Sequence, residues 1–217
     1  MYKRGFHELS KDDQKEILRQ LIDKKADIIG SGGGRMVFVY PADKSKVVKV
    51  ALGAGGVVQN LNEQSVYEGY GDTGYLADIH GHCDYLEIMD RVDDCIGDVH
   101  DYFADKSWDA EDDEQEEIET AEQEAWDLVS WLDEITGSTP DNEQIGYLNG
   151  ELVAYDYGYN PDYETHTQVS ELRDVDFDVN KYLEGIIRIV DNEITMEQLE
   201  FAILDEWNCD EEEENIE

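Results

Sequence analysis

The chain has 217 residues, 55 of them Asp or Glu against 16 Lys or Arg, for a net charge of −39. That balance, with no basic cluster longer than Lys24–Lys25, argues against direct contact with nucleic acid or an anionic membrane surface. A hydrophobic fraction of 40% with four Trp argues against a disordered chain.

Acidic residues are spread over nearly every segment, as expected of a protein adapted to a salt-filled cytoplasm. At about 1 M salt the Debye length falls to about 3 Å and the self-repulsion is largely screened. The rival reading is functional acidity, a surface that engages a basic partner or mimics nucleic acid. Three cysteines, Cys83, Cys95 and Cys209, form no disulfide framework and suit a reducing interior. The absence of an apolar leader or of an apolar run of spanning length gives the expectation of a soluble, cytoplasmic protein.

In chain order, Ser10 and Asp13 form a capping-box pattern, and Ile17, Leu18, Leu21 and Ile22 repeat at helical spacing. A helix from about Lys11 to Lys24 is expected. Three strand-like runs follow, "ADIIGS", "RMVFVYP" and "KVVKVAL", then a helix over "VVQNLNEQSVYEGY" and two more strands at "LADIHG" and "YLEIMDRV". From Asp93 the pattern becomes helical. Between Asp109 and Glu124 the chain is strongly acidic, yet Ile118, Ala121, Ala125, Leu128, Val129 and Leu132 mark one apolar stripe. "QIGYLNGELVAYDYG" reads as a hairpin turning at Asn149–Gly150. Two helices, about Val179 to Val190 and about Met196 to Trp207, precede a solvated acidic tail.

Gly30, Gly32, Gly33 and Gly34 raise the question of a phosphate-binding loop. A P-loop or a dinucleotide fold needs glycines that open a helix. Here Met36, Val37, Phe38, Val39 and Tyr40 follow, which prefer strand, so the loop joins two antiparallel strands. Lys49 then stands alone among β-branched and small residues in a strand expected to be buried, where an unpaired ammonium costs several kcal/mol by rough estimate. It needs an anionic partner. Glu63 and Glu68 on the next helix are the candidates; Glu63 is favoured because Val66 and Tyr67 lie at i+3 and i+4, and Glu68 stays open. Asp156 follows an apolar strand in "LVAYDYG".

This order, glycine-rich hairpin, lysine strand, glutamate helix, strand, then Asp-Tyr-Gly, resembles the protein-kinase-like superfamily, and in particular its small, reduced members from phages and archaeal viruses. Gly30, Gly32 and Val37 match the spacing G-x-G-x-x-G-x-V, with Arg35 in place of the third glycine. The resemblance spans about residues 26–160. It implies an α+β, two-lobed fold: an N-terminal helix over 1–25, a small antiparallel β-rich lobe over 26–92, and a reduced, mainly helical lobe over 93–217.

The resemblance further implies ATP and Mg²⁺ as ligands. Gly30, Gly32, Gly33 and Val37 would cover the nucleotide, Lys49 would hold its α/β-phosphates and Glu63 would orient the lysine. Asp90 and Val92, at the end of the fifth strand-like run, would receive the adenine through their backbone. Asp156 would ligate the metal. In "TGSTPDNEQIG" there is no His-Arg-Asp; either Asn142 or Gln144 takes the place of the metal-binding asparagine, and Asp141 is the candidate base. The function expected is therefore a kinase-like ATP-binding protein with a degenerate catalytic loop, its phosphoacceptor a protein or small molecule. The alternative is an inactive kinase fold that acts as an acidic interaction protein.

Two other clusters carry less. His80, His82, Cys83 and Asp84 have metal-capable side chains but share one turn and lack a distant second pair. Asp174 to Asn180 alternates carboxylates without the glycine and glutamate of a calcium loop.

Overall fold

In the computed structural model of the chain, the structure describes residues 7–31, 34–108, 110–137, 144–158 and 178–203. Helix α1 (Lys11–Asp23) begins at the capping box read from the sequence. The Ser10 hydroxyl accepts from the Asp13 N–H, and the Asp13 carboxylate accepts from the Ser10 N–H. Strands β1 (Ile28–Ser31), β2 (Arg35–Val39), β3 (Lys46–Ala51), β4 (Ile79–His82) and β5 (Leu86–Asp90) form one antiparallel sheet in the order β1-β2-β3-β5-β4. Helix α2 (Gly53–Tyr70) lies between β3 and β4 in sequence.

Strand alternation divides the side chains of this sheet between two cores. Met36, Phe38, Val48, Val50, Leu86 and Ile88 face one way and pack with Leu18 and Leu21 of α1. Val47, Ile79 and Met89 face the other way, joining a core built by the rest of the chain. That second core contains Phe103 of α3 (Val99–Ser107) and Leu128 and Leu132 of α4 (Asp112–Thr136). It also takes residues from a smaller sheet, β6 (Asp94–Ile96), β7 (Ile145–Leu148) and β8 (Glu151–Ala154), ordered β6-β7-β8. Asn149 (φ 55°) and Gly150 (φ 87°) turn the β7–β8 hairpin, both with the positive φ that a type I′ turn requires. On α4, Ala125, Leu128, Val129 and Leu132 of the expected apolar stripe are buried, and Ile118 and Ala121 are partly so.

The sheets are stitched where β8 meets the chain just before β4. Ala154 N–H donates to the Tyr75 carbonyl and Ala77 N–H to the Ala154 carbonyl, both at 2.8 Å. The end of β8 is thereby held close to α2.

One element lies elsewhere than its sequence position suggests. Helix α5 (Val179–Val190), expected within the second lobe over 93–217, packs beside α1 on the outer face of the five-stranded sheet. The reason is its apolar stripe, Tyr182, Leu183, Ile186, Ile189 and Val190, which completes the α1 core. Tyr182 also reaches the β3–α2 junction. Its hydroxyl donates to the Ala51 carbonyl (2.9 Å) and accepts from the Gly53 N–H (3.0 Å). Leu52 at the N-cap of α2 has no capping side chain. The free N–H groups of that first turn are met by Tyr182 and by Glu200, which accepts from the Ala54 N–H at 2.9 Å. Glu200 sits on helical residues 196–203, which open with Thr195 and Gln198 exchanging side-chain-to-backbone hydrogen bonds.

The acidic tail and the loop around Asp141 lie outside the described residues. Among the described residues no helix is long and apolar enough to cross a membrane.

Candidate functional site

The register of the large sheet sets a row of side chains on its inner face. Val37 of β2 stands opposite Lys49 of β3, and Lys49 stands opposite Glu87 of β5. Two residues along β2, Arg35 stands opposite Ala51 on the same face. Helix α2 turns Glu63 towards this row, and the chain leaving β8 closes it with Tyr155, Asp156 and Tyr157.

At the centre, Lys49 is 3% exposed and Glu63 fully buried. The ammonium donates to Oε1 and Oε2 of Glu63 at 2.7 and 2.9 Å and to the Tyr155 carbonyl at 2.6 Å. Its three protons are thus all used, which is what removal of an ammonium from water requires. Glu63 Oε1 also accepts the Tyr157 N–H at 3.0 Å. Of the two glutamates open in the sequence, Glu63 meets the lysine and Glu68 is exposed. The lysine strand, the glutamate helix and the Asp-Tyr-Gly segment, 107 residues apart from Lys49 to Asp156, converge on one carboxylate.

Arg35 joins the same cluster. Expected only as the residue replacing a loop glycine, it points inwards and is 4% exposed. Nη1 donates to Glu63 and Nη2 to Asp156. Burial works against the charge of this guanidinium, but chiefly Asp156 and then Glu63 outweigh it and raise its pKa above the ordinary value. Burial likewise opposes ionisation of Glu63, and Arg35 and Lys49 overcome it, holding that carboxyl down to about 2.

Glu87 is different. It is fully buried, Lys49 Nζ lies 3.9 Å away, and neither carboxyl oxygen meets a hydrogen-bond donor among the described residues. Burial first, and then the neighbouring Glu63 charge, push its pKa well above the ordinary 4.5. Burial and the Glu63 charge therefore both favour the protonated form of Glu87. Around it, Arg35 and Lys49 face Glu63 and Asp156.

The other expected site residues fall as follows. Gly30 lies in β1 opposite Val37, where a Cβ would make only ordinary contacts at 3.7 Å or more. Asp90 ends β5 and receives His80 Nε2 at 2.6 Å on its carboxylate; its N–H donates to the Asp78 carbonyl. Val92, two residues on, packs against the second core. Gln144 precedes β7, and its carbonyl accepts the Tyr155 N–H at 2.9 Å. Gly32, Gly33, Asp141 and Asn142 lie outside the described residues. So does most of the carboxylate run from Asp174.

The final residue of Asp-Tyr-Gly has a steric reason. A Cβ on Gly158 would lie 2.3 Å from the Gln59 carbonyl and 3.0 Å from the Glu63 Cβ. Only a glycine lets this segment pass so close to α2. A comparable approach fixes the start of α2, where a Cβ on Gly56 would lie 1.9 Å from the Gly34 carbonyl.

His80, His82, Cys83 and Asp84 do not assemble a metal site; among the described residues no three metal-capable side chains are gathered anywhere. His80 is turned to Asp90, His82 is buried beside α1's approach at Leu9, and burial raises the Cys83 thiol to about 12.

Arg35 and Glu87 were missed as site residues. The signal for both is period-two alternation: Arg35 shares a face with Val37, and Glu87 is a lone acid within the apolar β5. Only the pairing register puts them beside Lys49.

A five-stranded antiparallel sheet with its lysine on β3, an ion pair to the following helix, and an Asp-Tyr-Gly segment closing the pair make a kinase-like α+β fold. No protein-family model and no curated protein matches the sequence. Among solved structures, the chain is similar to APH(2'')-IIa in its gentamicin complex, at 13% identity over 92% of this chain and 85% of that one, with a TM-score of 0.36. The streptomycin–ATP complex of APH(2'')-IIa gives 13% identity, 85% and 89% coverage and a TM-score of 0.35. An apo pseudokinase gives 11% identity, 94% and 98% coverage and a TM-score of 0.38. Similarity at that level carries no argument about ligand or activity, which must rest on the cluster around Lys49.

Proposed function

We propose that this protein binds a nucleotide, ATP in the first instance, beside the Lys49 cluster, between β1–β3, α2 and the Tyr155–Gly158 segment. The observation that carries the reading is the buried Lys49–Glu63 pair, closed by the Tyr155 carbonyl. In this reading the lysine's position is fixed before any ligand arrives, and a phosphate competes with the Tyr155 carbonyl for one of its protons. In this reading Lys49 meets the α/β-phosphates and Glu63 holds the lysine. Gly30, Gly32, Gly33 and Val37 cover the nucleotide, and the backbone at Asp90 and Val92 meets the adenine.

Phosphotransfer, with Asp141 as base and Asn142 or Gln144 assisting, ranks below binding. Mg²⁺ at Asp156 does not fit the cluster with Arg35 in place: a carboxylate already neutralised by a guanidinium is a poor ligand for a second cation. That same contact favours the second reading, an inactive kinase-like protein whose acidic surface engages a basic partner. The acidity itself supports a salt-adapted setting, in which folding strengthens as KCl rises.

The test is titration with a fluorescent ATP analogue in high KCl, with ATP as competitor. Saturable binding that ATP displaces is expected. No displaceable binding by the folded protein would leave the acidic surface as the leading functional feature.

A further inference from the structure

The expected third glycine of the loop is Arg35, and its side chain does not extend into solvent. It turns inwards from the first position of β2 and binds two carboxylates at once: Glu63, which holds the lysine, and Asp156, which the kinase resemblance assigns to a metal. The guanidinium is buried, whereas the Asp156 side chain keeps 43% of its surface. The open side of the Arg35–Asp156 pair is thus at Asp156.

The Arg35 guanidinium already occupies the Asp156 carboxylate and compensates its charge. Arg35 and Lys49 face Glu63 and Asp156, and burial of Glu87 beside Glu63 makes that third carboxyl resist ionisation. A divalent ion at Asp156 would stand within a few ångströms of the guanidinium and repel it. In the nucleotide reading, an arriving polyphosphate competes with Glu63 and Asp156 for the donors of Lys49 and Arg35, two cations already in place. A guanidinium also offers a planar fork of donors suited to phosphate oxygens.

We propose that Arg35 takes the place of the divalent cation, so that this protein binds the metal-free nucleoside polyphosphate and not its magnesium complex. The inference rests on the nucleotide-binding reading above. It goes further by fixing the form of the ligand and by assigning to Arg35 a role in specificity. It also gives Arg35, where the kinase resemblance expects a glycine, a role for its charge.

The experiment measures ATP affinity in high KCl twice, once with EDTA and once with excess MgCl₂, for the wild type, Arg35→Gly and Arg35→Lys. Circular dichroism and denaturation midpoints establish that each is folded. The wild type should bind at least as tightly in EDTA as in magnesium. Arg35→Gly should lose about tenfold or more in EDTA, the loss expected for a charge-assisted phosphate contact, and should recover affinity when magnesium is added. Arg35→Lys should retain part of the metal-free affinity, which a purely structural role for the guanidinium fork would not predict. Tightening of the wild type by about tenfold or more on adding magnesium would overturn the inference and leave nucleotide binding intact. Absence of binding in both conditions, in folded wild type and folded Arg35→Gly alike, would overturn the nucleotide reading and this inference with it.

Discussion

The Lys49 ammonium and the Glu63 carboxylate share both carboxylate oxygens, at 2.7 and 2.9 Å, with neither side chain open to water. Removing one partner of a buried pair strands the other, at about 3–5 kcal/mol. The two partners are not equivalent here, because Glu63 also receives Arg35 and the Tyr157 N–H. Lys49→Met leaves Glu63 with those two donors and should cost towards the lower end. Glu63→Gln deprives two buried cations at once and should cost towards the upper end. Chemical denaturation in high KCl checks the order, and a larger cost for Lys49→Met would contradict it.

Glu87 gives the stability a pH dependence. Its folded pKa is raised well above 4.5. Above pH 4.5 the unfolded chain therefore releases this proton while the folded one keeps it, and stability falls as pH rises, by about 1.4 kcal/mol per unit until the raised pKa is passed. Glu63 has the opposite sign: held at about 2, its contribution is present above 4.5 and is lost as pH falls from 4.5 towards 2. Glu87→Gln keeps the shape and removes the first slope. The variant should gain on the wild type as pH is raised above about 5, until the raised pKa of Glu87 is passed. A difference independent of pH would mean that Glu87 is ionised in the folded state.

Gly158 is held by proximity to α2. Gly158→Ala forces the Gln59 carbonyl and the Tyr155–Gly158 segment apart, at about 1–3 kcal/mol as for overpacking elsewhere, and loosens the Tyr157 N–H from Glu63. Gly97→Ala is the control, since nothing lies within 4 Å of its Cβ. Denaturation midpoints of the two variants should separate clearly; equal values would show that the segment yields freely.

Tyr182 ties α5 to the lysine strand and to the glutamate helix. Tyr182→Phe leaves the Ala51 carbonyl and the Gly53 N–H without the hydroxyl that joins them, at about 1–3 kcal/mol for buried groups left unsatisfied. Amide exchange at Gly53 should accelerate along with the loss of stability. Unchanged exchange would show that water replaces the hydroxyl at no cost.

The sequence yielded the local elements well, because capping, alternation and turn chemistry act over a few residues. Ser10–Asp13, the strand around Lys49 and the Asn149–Gly150 turn stand where their patterns put them. What it did not yield depends on pairing across the chain. The apolar stripe of α5 shows that the helix is buried on one side but not on which core, and it lies beside α1. The strand β6 is three residues long and, among the described residues, pairs only with β7, too short for a period to register. The lone lysine called for an anion and Glu63 met it. Arg35 and Glu87 needed the sheet register before they could be seen as its neighbours.

The most direct test of the account is calorimetric titration of ATP into the folded wild type and into Lys49→Ala, in about 2–3 M KCl, where surface repulsion is screened. The account predicts binding by the wild type and its loss in Lys49→Ala, with both proteins folded. Equal affinity in the two would contradict it, since a nucleotide bound without Lys49 would not lie beside this cluster.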